Sequence, residues 1–399
     1  MPQPTSSHPQ VSTWLKHIHA LSVDIGPRPP TREGERLGAE YACEQFKKLG
    51  LAPVMEKFKS ARSIFLPHLI GSALMLAAFA MYPLGGRVTI VLAALLSILV
   101  LVSEVQELGF QDNFYRRILP KGESQNVHAV IQPAGEHKQD LVLVGHLDTQ
   151  RTPFIFRSPK HVYVYDKLTT IFFITFIAQA VLYTLSIFLP WSWVWYATIP
   201  TALSAIFLGA ICIEADSTPF TAGANDNATA AGMVLTLAEH FGQHPLQNTR
   251  VLAVCTGCEE VQHYGMIDFY KRHRKEMTDP KAVVFEMLGC AGPAWLEKEG
   301  IIVPFKADPG LLKMVETLAA EHPEWEAYPA RVSGGNTEMA DAVRFKVPAI
   351  TIFGLSREGI APYWHQKTDT FDKMDPGVME RTWAMTTALI ERIDRSSNK

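Results

Sequence analysis

Leu141-Val142-Leu143-Val144-Gly145-His146-Leu147-Asp148 is the stretch from which the fold of this 399-residue chain is read. Its four leading apolar residues form a short run of the kind that a buried strand presents. Polar groups follow at once, and in an extended segment His146 and Asp148, two residues apart, share one side. An open α/β sheet binds its ligands beyond the carboxyl ends of its strands, so this pair stands where a site would be built. Working outward, Val127 to Ile131, Arg250 to Cys255, Ala282 to Phe285 and Pro348 to Phe353 read as further strands. Glu33 to Leu49, Asn227 to Phe241, Asp308 to Glu321 and Pro376 to Ile393 read as helices. This alternation predicts an α/β fold with a mainly parallel or mixed central sheet flanked by helices.

The same strand ends gather further ionisable groups. Glu259 and Glu260 follow the strand ending at Cys255, with only apolar or small residues before them. An adjacent acid pair is ordinarily surface charge, but in a metal site the two can divide the labour. One binds metal, and the other takes a proton from water whose pKa zinc lowers to about 7. Glu286 is an acid inside the apolar run Val283-Val284-Phe285-Glu286-Met287-Leu288-Gly289. A buried carboxylate calls for a cation, either a metal or the basic half of a salt bridge. Gly223-Ala224-Asn225-Asp226-Asn227-Ala228 opens a helix from a glycine-rich turn, where Asp226 reads equally as an N-cap and as a carboxylate bridging two cations. His365 lies in the polar run Tyr363-Trp364-His365-Gln366-Lys367-Thr368-Asp369-Thr370-Phe371-Asp372, just before the last helix. Asp148 stands at the spacing of a carboxylate that holds the second ring nitrogen of a zinc-binding histidine. An H-x-D triplet alone is common by chance, and its value comes from its company.

In order, H-x-D, G-A-x-D-N-A, E-E after a strand, an acid before x-x-G, and Y-x-H-x-x-x-D-T-x-D resemble the aminopeptidase Y and aminopeptidase S family of co-catalytic zinc peptidases, which also includes glutamate carboxypeptidase II. The resemblance covers almost all of the chain outside its two most apolar regions, including Gly26-Pro27-Arg28-Pro29. It implies a zinc-exopeptidase (phosphorylase/hydrolase-like) fold with two zinc ions as cofactors. Asp226 would bridge them, His146 and Glu286 would complete one site, and Glu260 and His365 the other. It further implies that Glu259 is the general base and that Asp148 orients His146. The expected activity is a metallopeptidase acting on short peptides, in the first place an aminopeptidase. Glu286 departs from the aspartate more common at that ligand position in the aminopeptidases and is similar to related carboxypeptidases and cyclases. A carboxypeptidase, glutaminyl cyclase or other amidohydrolase is therefore the alternative. A non-catalytic scaffold, as the transferrin receptor ectodomain suggests, is disfavoured because no ligand position is missing.

Overall 47% of residues are hydrophobic and 19% charged, and the charges are unevenly spread. The formal net charge of −3, with no basic stripe, argues against a nucleic-acid partner. Leu168 to Ile213 carries no charge, and Ser63 to Ser103 carries only His68 and Arg87. Each region divides at a short break, Pro83-Leu84-Gly85-Gly86 and Pro190-Trp191-Ser192-Trp193, with Trp and Tyr near the ends. This pattern predicts two inserted transmembrane hairpins, four spans of about 20 residues, of which Val88 to Ser103 is the shortest. The expected organisation is peptidase domain over 1–62, hairpin over 63–103, peptidase domain with the first ligand over 104–167, hairpin over 168–213, and the remaining ligands and base over 214–399. Lys57, Lys59, Arg62, Arg116, Arg117, Lys121, Arg157, Lys160 and Lys167 flank the spans on one side and Arg87 alone on the other. The catalytic part of an integral membrane protein is thus expected on the cytoplasmic face, with the lipid bilayer as a partner. The polar stretch Met1 to Leu21, lacking an apolar signal core, and five cysteines without framework spacing agree with that compartment. Cys255 and Cys258 read as small residues packed at a strand end. None of the expected ligands lies in a span, so the chemistry is expected in water, with the hairpins free to present membrane-bound peptides or to hold a homo-oligomer together.

Overall fold

The computed structural model describes residues 4–189, 191–301, 303–332 and 335–396. Two compact units divide the chain: Met1–Arg62, Lys121–Gln150 and Phe220–Lys399 form one, and Ser63–Pro120 with Arg151–Pro219 the other.

The first unit is built on β1 (Val54–Ala61), β2 (Lys121–Ile131), β3 (Gln139–His146), β4 (Thr249–Thr256), β5 (Lys281–Glu286), β6 (Ala294–Glu299), β7 (Phe305–Lys306), β8 (Tyr328–Arg331) and β9 (Ala349–Phe353). They form one sheet in the order β1-β2-β4-β3-β5-β9-β6-β7, with β8 paired on β6. The centre, β4-β3-β5-β9, is parallel, while β1, β2, β6 and β7 join antiparallel at the edges. The sheet is therefore mixed, and its four central strands end along one edge. Leu141, Val142, Leu143 and Val144 are fully buried, each such side chain contributing about 1.5–3 kcal/mol relative to exposure.

The helix Thr229–Gln243 packs on β3, β4 and β5 and against the helix Pro9–His19. Trp14 Nε1 donates to the Thr229 carbonyl at 2.7 Å. Gly145 permits the close approach, since a Cβ there would lie 2.6 Å from the Ala230 carbonyl carbon. The helix starts at Thr229 rather than Asn227, because Asp226 (φ −116°, ψ 88°) and Asn227 (φ −139°, ψ 42°) leave helical geometry.

In the second unit four helices, Phe65–Leu84, Arg87–Leu108, Pro159–Ser186 and Trp193–Ser217, are long and apolar enough to cross a membrane. The second, with 22 residues, is about 33 Å long, against a hydrocarbon layer of about 30 Å. Its extension beyond Ser103 has a cause: Glu104 meets His68 Nδ1 at 2.7 Å, and Glu107 accepts from Arg116 Nε at 2.9 Å. Paired in this way through Glu104 Oε2 and the Glu107 carboxylate, both acids stay helical and buried. The expected edge at 62/63 coincides with a boundary between the units; those at 103/104, 167/168 and 213/214 fall inside helices, and the units part also after residues 120, 150 and 219. Side chains facing the bundle interior are mixed: Phe65, Met75, Phe172 and Phe176 pack there beside small residues such as Ala93 and Ala205 and a few polar ones. Gln179 Nε2 donates to the Met75 carbonyl and Ser97 Oγ, both at 3.2 Å, and Tyr183 Oη lies 2.9 Å from Thr198 Oγ1. Leu95, Ile174, Val181 and Leu203 point outward and are exposed. Gly85 and Gly86, at φ +76° and +86°, turn the first hairpin; Pro190, in the expected second break, lies outside the described residues.

Candidate functional site

His146 is the last residue of β3 and Glu286 the last of β5. Glu259 and Glu260 stand in the loop after β4, and Asp226 in the turn before the helix Thr229–Gln243. His365 follows β9 in a loop that gives it φ +52°, a conformation held by the surroundings. Strand ends thus supply part of the set and loops deliver the remainder. All six residues are at most 8% exposed.

The side chains converge. His146 Nε2 lies 3.6 Å from Asp226 Oδ1 and 3.7 Å from Glu286 Oε1. His365 Nε2 lies 3.3 Å from Asp226 Oδ2 and 3.2 Å from Glu260 Oε2. Asp226 therefore turns one oxygen toward each histidine. Two ligand sets, His146–Asp226–Glu286 and Asp226–Glu260–His365, each have their donor atoms within 4.8 Å of one another and share Asp226. A third set, His146–Glu259–Glu260, brings in Glu259, whose Oε2 is 3.8 Å from His146 Nε2.

Buried polar groups hold this constellation. His146 Nδ1 meets the main-chain carbonyl of Asp148 at 3.1 Å, with the carboxylate Oδ1 at 3.5 Å. The Asp148 carboxylate also accepts from the backbone N–H groups of Glu259 and Glu260, each at 3.0 Å, tying the end of β3 to the acid pair. Asn227 Nδ2 donates to Glu286 Oε1 at 2.9 Å, and Gln150 Nε2 donates to Glu260 Oε2 at 3.2 Å. Asp369 accepts from the N–H groups of Asn225 (2.7 Å) and Asp226 (3.0 Å). Arg28, fully buried, donates to the carbonyls of Leu147 and Gly223, which bracket two ligand segments. Gly223 has φ +62°, and a Cβ there would meet Thr149 at 2.2 Å.

In the sequence Asp369, Asn225 and Asn227 stand only as motif letters and Arg28 only within the stretch Gly26-Pro27-Arg28-Pro29, and nothing there marks His263, Gln150 or Asp341. His263 Nε2 lies 3.1 Å from Glu259 Oε1, a contact signalled in sequence only by a histidine four residues on. Cys255 and Cys258 are free thiols, fully buried.

The electrostatics demand cations. Burial, then Glu260, push the Asp226 carboxyl well above its usual range; burial, then Glu259, do the same to Glu260, and burial raises Glu286. Burial lowers His365. Burial also opposes charge on His146, but Glu259, Asp148 and Glu286 outweigh it and raise the imidazole well above its ordinary value. Asp226 Oδ2 and Glu260 Oε1 are buried without a hydrogen-bond partner, a costly arrangement for carboxylate oxygens unless a cation takes them. The imidazole and carboxylate donors are those zinc accepts, so the residues present fit that metal.

Residues 215–390 match Peptidase family M28; that span holds every expected ligand except His146. A search of curated proteins gives no match. Solved structures of similar fold include a glutaminyl cyclase from Fimbriiglobus ruber, 16% identical, covering 98% of this chain and 99% of that one at a TM-score of 0.57. They also include a zinc aminopeptidase from Bacillus subtilis, 11% identical over 98% of this chain and 96% of that one, TM-score 0.57. A leucine aminopeptidase precursor from Bacteroides thetaiotaomicron VPI-5482 is 13% identical over 98% of each chain, TM-score 0.55. At these identities the likeness is one of fold, that of the zinc exopeptidases. The ordered motifs, the sheet and the match over residues 215–390 agree with one another, and together they support a metallopeptidase of the M28 kind.

Proposed function

We propose that the chain is a membrane-bound, zinc-dependent exopeptidase that hydrolyses short peptides, in the first place from the N-terminus. Two zinc ions would be held by His146, Asp226 and Glu286 and by Asp226, Glu260 and His365. The observation that carries this reading is the division of Asp226, Oδ1 toward His146 and Oδ2 toward His365. When bound, zinc supplies Lewis acidity to the scissile carbonyl and lowers the pKa of water. Glu259 takes the proton of the attacking water through Oε2 and returns it to the leaving amine as the C–N bond breaks. Glu259 is placed for that role, with Oε1 at 3.1 Å from His263 Nε2 and Oε2 turned toward His146 at 3.8 Å. The four apolar helices support membrane attachment, and the basic residues beside them support a catalytic unit on the cytoplasmic face.

In detergent, peptides with a free N-terminus should be shortened from that end and N-blocked ones spared. Equal cleavage of both would refute the aminopeptidase form. Glu259→Gln should lower kcat by about three orders of magnitude or more with zinc retained. A second reading, cyclisation of an N-terminal glutamine, is favoured by Glu286, which resembles the cyclase pattern. Release of ammonia from Gln-peptides without loss of a residue, together with no hydrolysis, would establish it.

A further inference from the structure

His263 and Asp341 belong to neither ligand set, yet they reach the base from behind. His263 follows Gln262 in a turn where both are left-handed, φ +82° and +56°, and it precedes the helix Tyr264–His273. Its Nδ1 lies 2.7 Å from Asp341 Oδ2, and its Nε2 lies 3.1 Å from Glu259 Oε1. Asp341, on the short helix Met339–Arg344, is fully buried, and the side chain of His263 is 4% exposed. An imidazole flanked by two carboxylates satisfies both only by donating from both nitrogens, which is the cationic form. Burial opposes that charge, but Asp341 and Glu259 outweigh it and raise His263 well above its ordinary value.

The two oxygens of Glu259 consequently have different tasks. Oε1 is engaged by His263, and Oε2 faces His146 at 3.8 Å. Glu259 is close enough to His146 and Glu260 to serve as a ligand itself, so something must assign the roles within the adjacent acid pair. Different partners do so: Gln150 donates to Glu260, and His263 to Glu259.

We infer that His263, held by Asp341, is the positioning residue of the base, binding Glu259 Oε1 so that Oε2 alone faces the reacting water and Glu259 is kept out of the metal ligand set. The inference rests on the assignment of Glu259 as base, and it applies equally to peptide hydrolysis and to cyclisation.

The test uses the full chain in detergent, with kcat, KM and zinc content measured for His263→Ala, His263→Gln, Asp341→Ala and the double variant His263→Ala/Asp341→Ala. Loss of such a support costs roughly 10–100-fold. The expected result is that loss in kcat for His263→Ala, with KM and zinc content near wild type. His263→Gln, whose amide still donates, should recover part of it, and Asp341→Ala should add nothing once His263 is gone. A kcat within about twofold of wild type, or zinc content falling in step with kcat, would overturn the inference. Should the wild type turn over no substrate, the proposed function fails by itself. The tether is then read from melting temperatures: losses for Glu259→Gln, His263→Gln and their double variant should fall short of additive, and strict additivity would refute it.

Discussion

Arg28→Lys keeps the charge beneath the site but removes the donor geometry. The guanidinium donates from Nε to the Leu147 carbonyl at 2.6 Å, from Nη1 to Leu21 (2.7 Å), Gly26 (2.8 Å) and Ala222 (3.0 Å), and from Nη2 to Gly223 (2.9 Å). Arg28 is 0% exposed, so water does not reach these acceptors through it. An ammonium has three N–H donors and leaves at least two of the five carbonyls without one. At about 1–3 kcal/mol for each unsatisfied buried group, the cost is roughly 2–6 kcal/mol, a large share of a total stability of about 5–15 kcal/mol. At about 2–4 °C per kcal/mol, the melting temperature in detergent should fall by roughly 4–24 °C. Burial also draws the Arg28 pKa down to about 10, against the pull of Asp369, Asp148 and Asp226, so the side chain remains charged at neutral pH. Zinc content should fall too, since Leu147 and Gly223 flank the ligand segments. Arg392→Lys is the control: its partner Glu321, at 2.7 Å, is 48% exposed, and no shift is expected. An Arg28→Lys melting temperature within about 2 °C of wild type would refute the reasoning.

Three further outcomes are expected. Asp148→Asn places an NH2 against a backbone N–H of Glu259 or Glu260; activity should drop roughly 10–100-fold, and unchanged kcat and zinc content would contradict the role given to Asp148. Gly145→Ala forces a methyl onto the backbone of Ala230; a loss of about 1–3 kcal/mol or more should lower the melting temperature, and a neutral result would mean that strand and helix part more freely than their packing implies. His17, its ring packed against Tyr41, has its pKa lowered from 6.5 to about 4, by burial first and then by Lys16 and Lys48. Its contribution is therefore complete above pH 6.5 and is lost as pH falls toward 4, a 2.5-unit difference worth about 3 kcal/mol. In His17→Gln the fall in melting temperature between pH 6.5 and 4 should shrink, and an unchanged slope would place the acid sensitivity elsewhere.

The central strands were legible, and so were the ionisable residues at their ends, because each stands against an apolar background, as His146 does after Leu141 to Val144; Asp226, in a glycine-rich turn, and His365, in a polar run, stood out only through their motifs. The edge of the sheet was not. β1 carries Glu56, Lys57 and Lys59 on a half-exposed strand, β7 has two residues, and β8 contains Pro329, so none shows a clean period. Helix ends were obscured for another reason. Glu104 and Glu107 break the apolar run by composition, yet their ion pairs with His68 and Arg116 keep them in the helix. The supports of the site were hidden by sequence distance: Arg28 meets Leu147 from 119 residues away, and His263 meets Asp341 from 78. A lone arginine or histidine in a sequence carries no sign of such a partner. Asp148 was legible in position but only partly in task, since its contact with the acid pair crosses 111 and 112 residues.

The zinc stoichiometry of the purified full chain, measured for wild type, Asp226→Asn and Glu259→Gln, tests the shared-carboxylate centre most directly. The account predicts two zinc ions per chain in wild type and in Glu259→Gln, and a clear loss in Asp226→Asn, whose carboxylate faces both histidines. Zinc no higher than background in wild type, or zinc unchanged by Asp226→Asn, would contradict it.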